Sequence, residues 1–522
     1  MSSPADYVAY LNQSGVRLWL DNGKLRYQAK KGILSSEELA RLRSMRTEIV
    51  AELTKAAGSK ADNSNRASEA APVEGPVSLQ QRWFLRLLEE PLKWKGTLSY
   101  TFRLKGALDP TVFERSLKKV LHAHAALRTR IERVSGEWRQ QIEPVGRFQL
   151  PVTQVSGKVE TDIERNAWVI VQNIASQELD PAVSPLMKAQ LVRVWAQEHF
   201  LVILIHRVAA DCLGIGQVFR DLWTWYGQAM QTGPSTSTEL TSLEGSTRYR
   251  DYALWQHTTD EAWRQKHGAY WNDYLAGSES IRWPMRECTS LPNQSAPGSL
   301  VSLESSLGET LSAELRELCE QTQTLLALIM LSVYVACVSM WCRQKDLIIP
   351  FLIAGRAAAH EGVVGCFSHV VYLRIRLNGS ENFTDVLKLV SNEFYKAAAF
   401  RQDSGRMATE RPELLRGTLC QWLSWHPSDI ARSPADDQTS QFGLQVEKMR
   451  CQNLEELTNV PPDMVDLEIN FFNVDGDISV FALYQSDRFA EGAPARLVKE
   501  LRSTAEYVVR DPRAPIGGYL QN

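Results

Sequence analysis

Hydrophobic positions along this chain switch between two periods. Residues 98–106 (LSYTFRLKG) alternate apolar and polar side chains, as a half-buried strand does, and 109–124 (DPTVFERSLKKVLHAH) follow with helical spacing. The same pair recurs later, as the strand-like 199–209 (HFLVILIHRVA) and the helix-like 214–228 (GIGQVFRDLWTWYGQ). Strands alternating with helices predict an α/β (α+β) fold, here two lobes forming one body over residues 77–522. One run has no period. Thr324 to Cys342 holds 19 residues without a charge, about the length of a membrane span. It includes Thr324, Ser332, Tyr334 and Ser339, and no second such run exists, so a fully buried core helix is expected.

The first 55 residues read as a separate unit. Ala5 to Ser14 is helix-like and ends at Gly15. Two β-prone runs then flank Asp21-Asn22-Gly23, a step that tolerates the positive φ of a tight turn and predicts a hairpin. Ser35 and Glu38 form a capping-box pattern, and Leu39, Leu42, Met45, Ile49 and Leu53 carry a second helix to about Lys55. Residues 56–76 contain no aromatic and a single large aliphatic, Val73, which predicts a flexible linker. The expected boundaries are therefore 1–55, 56–76, a first lobe at 77–255 and a second at 256–522.

Charge adds little for the whole chain and something for its start. Lys+Arg 58 against Asp+Glu 61 gives −3, with no basic footprint for nucleic acid. Residues 1–55 alone hold nine Lys/Arg against six Asp/Glu. With an exposed hairpin edge, such a unit suits an acidic peptide added as a strand, through Arg17, Trp19, Lys24, Arg26, Lys30, Lys31 and Arg41. Eight scattered cysteines without a Cys-x-x-Cys pair argue against a disulfide scaffold or zinc site and for a reducing compartment. The opening MSSPADYVAYLNQ lacks the basic and apolar regions of a secretion signal, so a cytoplasmic, membrane-free protein is expected.

Generic catalytic signatures are missing: there is no phosphate-binding glycine loop, no His-Glu-x-x-His and no Gly-x-Ser-x-Gly. His122 and His124 stand two apart on a helix, on different faces, and make a poor metal pair. The informative stretch is 201–216, LVILIHRVAADCLGIG. An apolar strand delivers His206, Arg207 and Asp211 to its exit, where α/β proteins place reactive groups. Read from the residues alone, this is either a reaction site or a structural His–Asp pair.

That stretch resembles the His-His-x-x-x-Asp-Gly signature of condensation domains in nonribosomal peptide synthetases. Other segments agree in order and spacing over about 77–520. Ser78 to Phe84 (SLQQRWF) resembles the family's opening motif, and 122–130 (HAHAALRTR) its Arg-His-x-x-Leu-Arg-Thr element. Tyr249 to Trp255 (YRDYALW) and Tyr270 to Gly277 (YWNDYLAG) are similar to consecutive family segments. Ala354-Gly355-Arg356 and Val364-Gly365-Cys366-Phe367 resemble the approach to Gly-x-Phe-Val-Asn-Thr, and Gln402-Asp403 the His-Gln-Asp element. The N-terminal unit is similar to tubulysin-type β-hairpin docking domains, which receive a short acidic tail from an upstream protein.

The resemblance implies two chloramphenicol-acetyltransferase-like lobes in a V-shaped pseudo-dimer. Carrier proteins bring phosphopantetheine arms into a tunnel between the lobes, and no cofactor is bound permanently. An acyl thioester there meets an amine or hydroxyl acceptor. Ser78, Arg82, Cys212, Gly214, Tyr249, Arg356 and Gly365 match positions that line the tunnel. With no adenylation or carrier motif after Asn522, both substrates are expected in trans, as for a stand-alone catalyst of chain release in polyketide or peptide biosynthesis.

The sequence departs from the family at the residue that matters most. The second histidine, assigned to catalysis in the family, is Arg207, and the glycine after the aspartate is Cys212. His206 and Asp211 match, in positions the family gives mainly structural work. Arginine stays protonated and cannot be a general base. Arg207 can stabilise an oxyanion, or it can pair with Asp211 and plug the site. Recruitment domains of glycopeptide synthetases resemble condensation domains with a His-Arg-x-x-x-Asp pattern, so a non-catalytic recruiting role stands as the alternative. His369 occupies the asparagine position of Gly-x-Phe-Val-Asn-Thr and is either an ordinary polar replacement or a compensating titratable group. Cys212, near a helix start, is either a lowered-pKa thiol or a buried inert one.

Overall fold

A computed structural model describes residues 17–21, 24–28, 73–89, 94–146, 148–157, 159–232, 249–258, 261–284, 299–401, 406–407, 410–423, 443–449, 458, 460–474 and 476–517. The chain divides into two compact units. The smaller comprises 1–72, 240–247 and 356–363. Its described part holds an antiparallel hairpin of β1 (Arg17–Asp21) and β2 (Lys24–Gln28), with Trp19 opposite Arg26 and Asp21 opposite Lys24. That is the hairpin the Asp-Asn-Gly step predicts. The two helices expected around the hairpin, with Lys30, Lys31 and Arg41, lie outside the described residues, as do Gln402 and Asp403.

The larger unit carries three sheets. A small one joins β3 (Val73–Pro76), β6 (Glu137–Ile142) and β5 (Thr129–Val134). Val73–Pro76 was expected to end the linker; it pairs instead with Ile142–Arg139. Backbone pairing on an edge requires no apolar side chains, and an edge strand tolerates Gly75 and Pro76, so composition could not reveal it. Next comes α1 (Leu79–Leu88), opened by a capping box in which Ser78 Oγ accepts from Gln81 N and the Gln81 side chain accepts from Ser78 N.

A five-stranded sheet has the order β14 (Leu444–Lys448), β4 (Thr97–Gly106), β9 (Glu198–His206), β8 (Met187–Trp195), β7 (Val152–Gln154). Strand β9 is central and almost wholly buried. On one side α3 (Glu160–Ala175) packs Ala167, Val171 and Ile174 against Val202 and Leu204. On the other, Phe219 and Trp223 of α4 (Cys212–Thr232) meet Tyr100 and Phe102 edge-on, and Phe113 of α2 (Pro110–Ala123) packs on Trp223. Burial on both faces is what the unbroken apolar run of β9 requires. Strand β14 comes from far along the chain, so the first sheet is completed by a late segment.

The six-stranded sheet runs β10 (Leu300–Ser306), β16 (Asp477–Gln485), β15 (Leu467–Val474), β13 (Thr418–Leu423), β11 (Asp346–Ile353), β12 (His369–Arg376). Pairing is parallel on both sides of β13 and antiparallel elsewhere. Helices α7 (Glu309–Thr322), α8 (Leu326–Cys342), α9 (Phe383–Ala399) and α10 (Ala493–Arg510) join one core with it. The uncharged 324–342 run is α8, buried continuously from Leu328 to Val338. Each large aliphatic buried there contributes about 1.5–3 kcal/mol, which explains a helix apolar all round. No single described helix is long and apolar enough to cross a membrane. Between the two large sheets in sequence lie α5 (Tyr249–Thr258) and α6 (Glu261–Tyr274).

Candidate active site

Strand β9 ends at His206, and the turn after it delivers Arg207 and Asp211 to the start of α4. The His206 ring is buried against Gly96, where an added Cβ would stand 2.5 Å from Nε2. Its Nδ1 accepts the Val208 amide at 3.2 Å. Burial, then the neighbouring Arg207 charge, lowers the His206 pKa to about 3. The ring is therefore neutral and serves the turn.

Arg207 turns its guanidinium over the Trp94 indole, 4.2 Å from the ring centroid, and its Nη1 donates to the Thr458 carbonyl at 2.9 Å. Asp211 is engaged elsewhere. Its Oδ1 accepts from Gly214 N at 2.9 Å, capping α4. Its Oδ2 accepts from Phe367 N at 2.9 Å and from Ser368 Oγ at 3.4 Å, while its own N–H donates to Gly365 O at 3.0 Å. One carboxylate thus ties the start of α4 to the 365–368 segment that leads into β12. Cys212 sits beside it; burial, then the Asp211 charge, pushes its thiol up to about 11. Cys212 is only partly buried, and the raised pKa argues against the lowered-pKa reading.

The tunnel residues inferred from motifs fall into one network with three exceptions. Gly365 lies under the Tyr249 ring, where a Cβ would come within 2.1 Å of Cδ2. Tyr249 Oη donates to Cys366 O and contacts Ser78 Oγ, both at 2.5 Å. Gly214 joins through Asp211. Cys212 adjoins the network without joining it. Arg82, one turn along α1, reaches Glu137 of β6 at 3.8 Å instead. Arg356 belongs to the smaller unit, where its Nη2 donates to Val363 O at 3.0 Å.

His369 opens β12 and is buried. Gln80 Nε2 lies 2.9 Å from both its ring nitrogens, and Tyr252 Oη is 3.4 Å from Nε2. Gln256 bridges Gln80 Oε1, Tyr252 Oη and Leu79 N. Burial, then the charge of Arg401, lowers the His369 pKa to about 3. A base that weak is mismatched to chemistry near neutral pH, so the geometry supports a hub joining α1, α5 and β12 rather than a proton acceptor.

Sequence reading singled out none of Trp94, Thr458, Gln80, Gln81, Tyr252 or Glu468. Gln80, Gln81 and Tyr252 were inside quoted motifs, and Gln81 Nε2 donates to Val208 O at 3.1 Å, holding the His206 turn. Glu468 is a buried carboxylate of β15 that acts electrostatically on the Cys212 thiol. Trp94 and Thr458 carried no local signal, since Thr458 meets Arg207 across 251 positions of sequence. His124, weighed as half of a metal pair, bonds Asp221 Oδ2 at 2.8 Å.

Comparison with known proteins bears on the same residues. The condensation domain family model matches residues 74–520, and the TubC N-terminal docking domain model matches 5–54. Chondramide synthase cmdD of Chondromyces crocatus is 27% identical over 462 residues, 85% of this chain and 11% of that protein. This chain therefore spans about a tenth of the length of that relative. Among solved structures, the X-domain from teicoplanin biosynthesis superposes with TM-score 0.66 at 21% identity, covering 86% of this chain and 98% of that one. A structure of condensation domain-mediated chain release from the enacyloxin polyketide synthase gives TM-score 0.61 at 17% identity, covering 98% and 97%. The mixed α/β fold is that of these chloramphenicol-acetyltransferase-like structures. Matched by the family model over 74–520, the chain belongs to the condensation domain family, preceded by a TubC-type docking domain.

Proposed function

We propose that this protein takes an acyl chain from the phosphopantetheine arm of a carrier protein and transfers it to an amine or hydroxyl acceptor, releasing the chain as an amide or ester. The observation that carries this reading is the placement of Arg207. Its guanidinium is drawn onto Trp94 and the Thr458 carbonyl, while Asp211 is satisfied by backbone amides and Ser368.

Neither Arg207 nor the acid-shifted His206 and His369 suits the role of base near neutral pH. The reading therefore assigns catalysis to positioning, which by itself supplies several kcal/mol. An acceptor amine in its neutral form attacks the thioester carbonyl, the C–N bond forms and the C–S bond breaks. The amine's proton is lost to solvent and the pantetheine leaves as thiol. The donor carrier docks through an acidic C-terminal tail on the hairpin bearing Arg17, Trp19, Lys24 and Arg26.

A second reading has its own support. Arg207 stands where the family has its catalytic histidine, and a related X-domain has been solved in complex with OxyB from teicoplanin biosynthesis. On that reading the domain holds a carrier protein for another enzyme. Intact-mass spectrometry of an acyl-loaded carrier, incubated with the protein and a panel of amines and alcohols, separates the two. Acyl loss with a matching released product, abolished by removing residues 1–55, supports transfer. Tight carrier binding with the acyl group retained across the panel overturns transfer in favour of recruitment.

A further inference from the structure

A cavity of about 670 Å³ opens on the five-stranded sheet, bordered by Leu121, Phe148, Ile174, Met187, Val202 and Leu204. It shares no lining residue with the His206–Asp211 network. The size is that of pockets that enclose small organic ligands.

Three features define what it fits. Strand β7 pairs only with Leu191–Arg193, leaving Met187–Gln190 of β8 uncovered on that side. Leu191 N donates to Pro151 O at 2.9 Å, so alternate residues turn their amides toward this edge, Ala189 among them. Ala189 is 6% exposed, and among the described residues its N–H and C=O have no partner on that edge. A buried backbone pair of this kind calls for a donor and an acceptor from elsewhere. The second feature is charge. The lining holds Arg128, Arg130 and Lys188 against Glu143, and Arg130 already pairs with Glu143 at 3.3 Å. Lys188, exposed at the lining, makes no ion pair with any described residue. The third is the apolar floor.

We propose that this cavity is a second ligand site for an N-acyl amino acid. The acyl chain lies against Val145, Phe148, Val183 and Pro185, the ligand's single trans amide pairs with the Ala189 edge, and its carboxylate meets Lys188. A free fatty acid lacks the amide, and an acyl amide without the acid lacks the charge; only the combination matches all three features.

The test is isothermal titration calorimetry of the full chain with N-decanoylglycine. Saturable one-to-one binding is expected, with decanoic acid and N-decanoylglycine methyl ester each at least tenfold weaker. Val183→Trp, at an exposed rim position, and Lys188→Glu, also exposed, each weaken binding at least tenfold with unchanged circular dichroism. Absence of heat at millimolar ligand overturns the proposal. So does binding that neither substitution alters, because the ligand then sits elsewhere.

Discussion

Replacing Asp211 by alanine removes the carboxylate that joins the start of α4 to the segment before β12. The structure allows the effect to be sized. Loss of the cap on Gly214 N costs about 1 kcal/mol. Phe367 is fully buried, and leaving its N–H without an acceptor costs about 1–3 kcal/mol more. The 3.4 Å contact with Ser368 Oγ adds little. Together these give about 3 kcal/mol. With a urea m-value of about 3 kcal/mol/M, the unfolding midpoint falls by about 1 M. Asp211→Asn keeps an oxygen for Gly214 and presents an amide that cannot accept from Phe367, so its midpoint lies between wild type and alanine. Urea titration by intrinsic tryptophan fluorescence reads all three. An alanine variant that unfolds at the wild-type midpoint yet loses acyl transfer would refute the reasoning, because Asp211 would then act on the reacting atoms rather than on the fold.

Arg207→His restores the family's base; with an acyl-loaded carrier and a hydroxyl acceptor, turnover rises by about 10²-fold or more, and unchanged turnover shows that base catalysis is not limiting. His206 and His369 are held near pKa 3 when folded and titrate near 6.5 when unfolded, so the stability they add is complete above pH 6.5 and is lost as pH falls toward 3. His369→Asn therefore has an acid-side stability slope shallower than wild type by about 1.4 kcal/mol per pH unit; parallel slopes in urea titrations from pH 6 to 4 count against the burial account. The Cys212 thiol, at about 11, reacts with iodoacetamide at pH 8 about two orders of magnitude more slowly than a free cysteine, as read by peptide mass mapping; fast labelling of the folded protein means an activated thiol.

Local sequence settled much of this protein. The period of hydrophobic positions placed β4, α2, β9 and α4, and the uncharged 324–342 run was legible as a core helix because its Ser, Thr and Tyr side chains and its solitary occurrence set it apart from a membrane span. The Asp-Asn-Gly step predicted the hairpin, since few residue pairs accept the φ angles of a tight turn. The His-x-x-x-x-Asp spacing located the site because strand exit and helix start lie within a few residues of each other.

Long-range contacts decided the rest. Pairing of Val73–Pro76 with β6 rests on backbone groups, which carry no side-chain signature. The direction of Arg207 depends on Trp94 and on Thr458, 251 residues away, so the sequence left both oxyanion donor and plug open. A histidine in a tunnel motif looked titratable until burial by Gln80, Tyr252 and Gly355 lowered its pKa. Sequence fixes which groups a chain possesses; their charge states and partners follow from desolvation and packing, which arise only when distant segments meet.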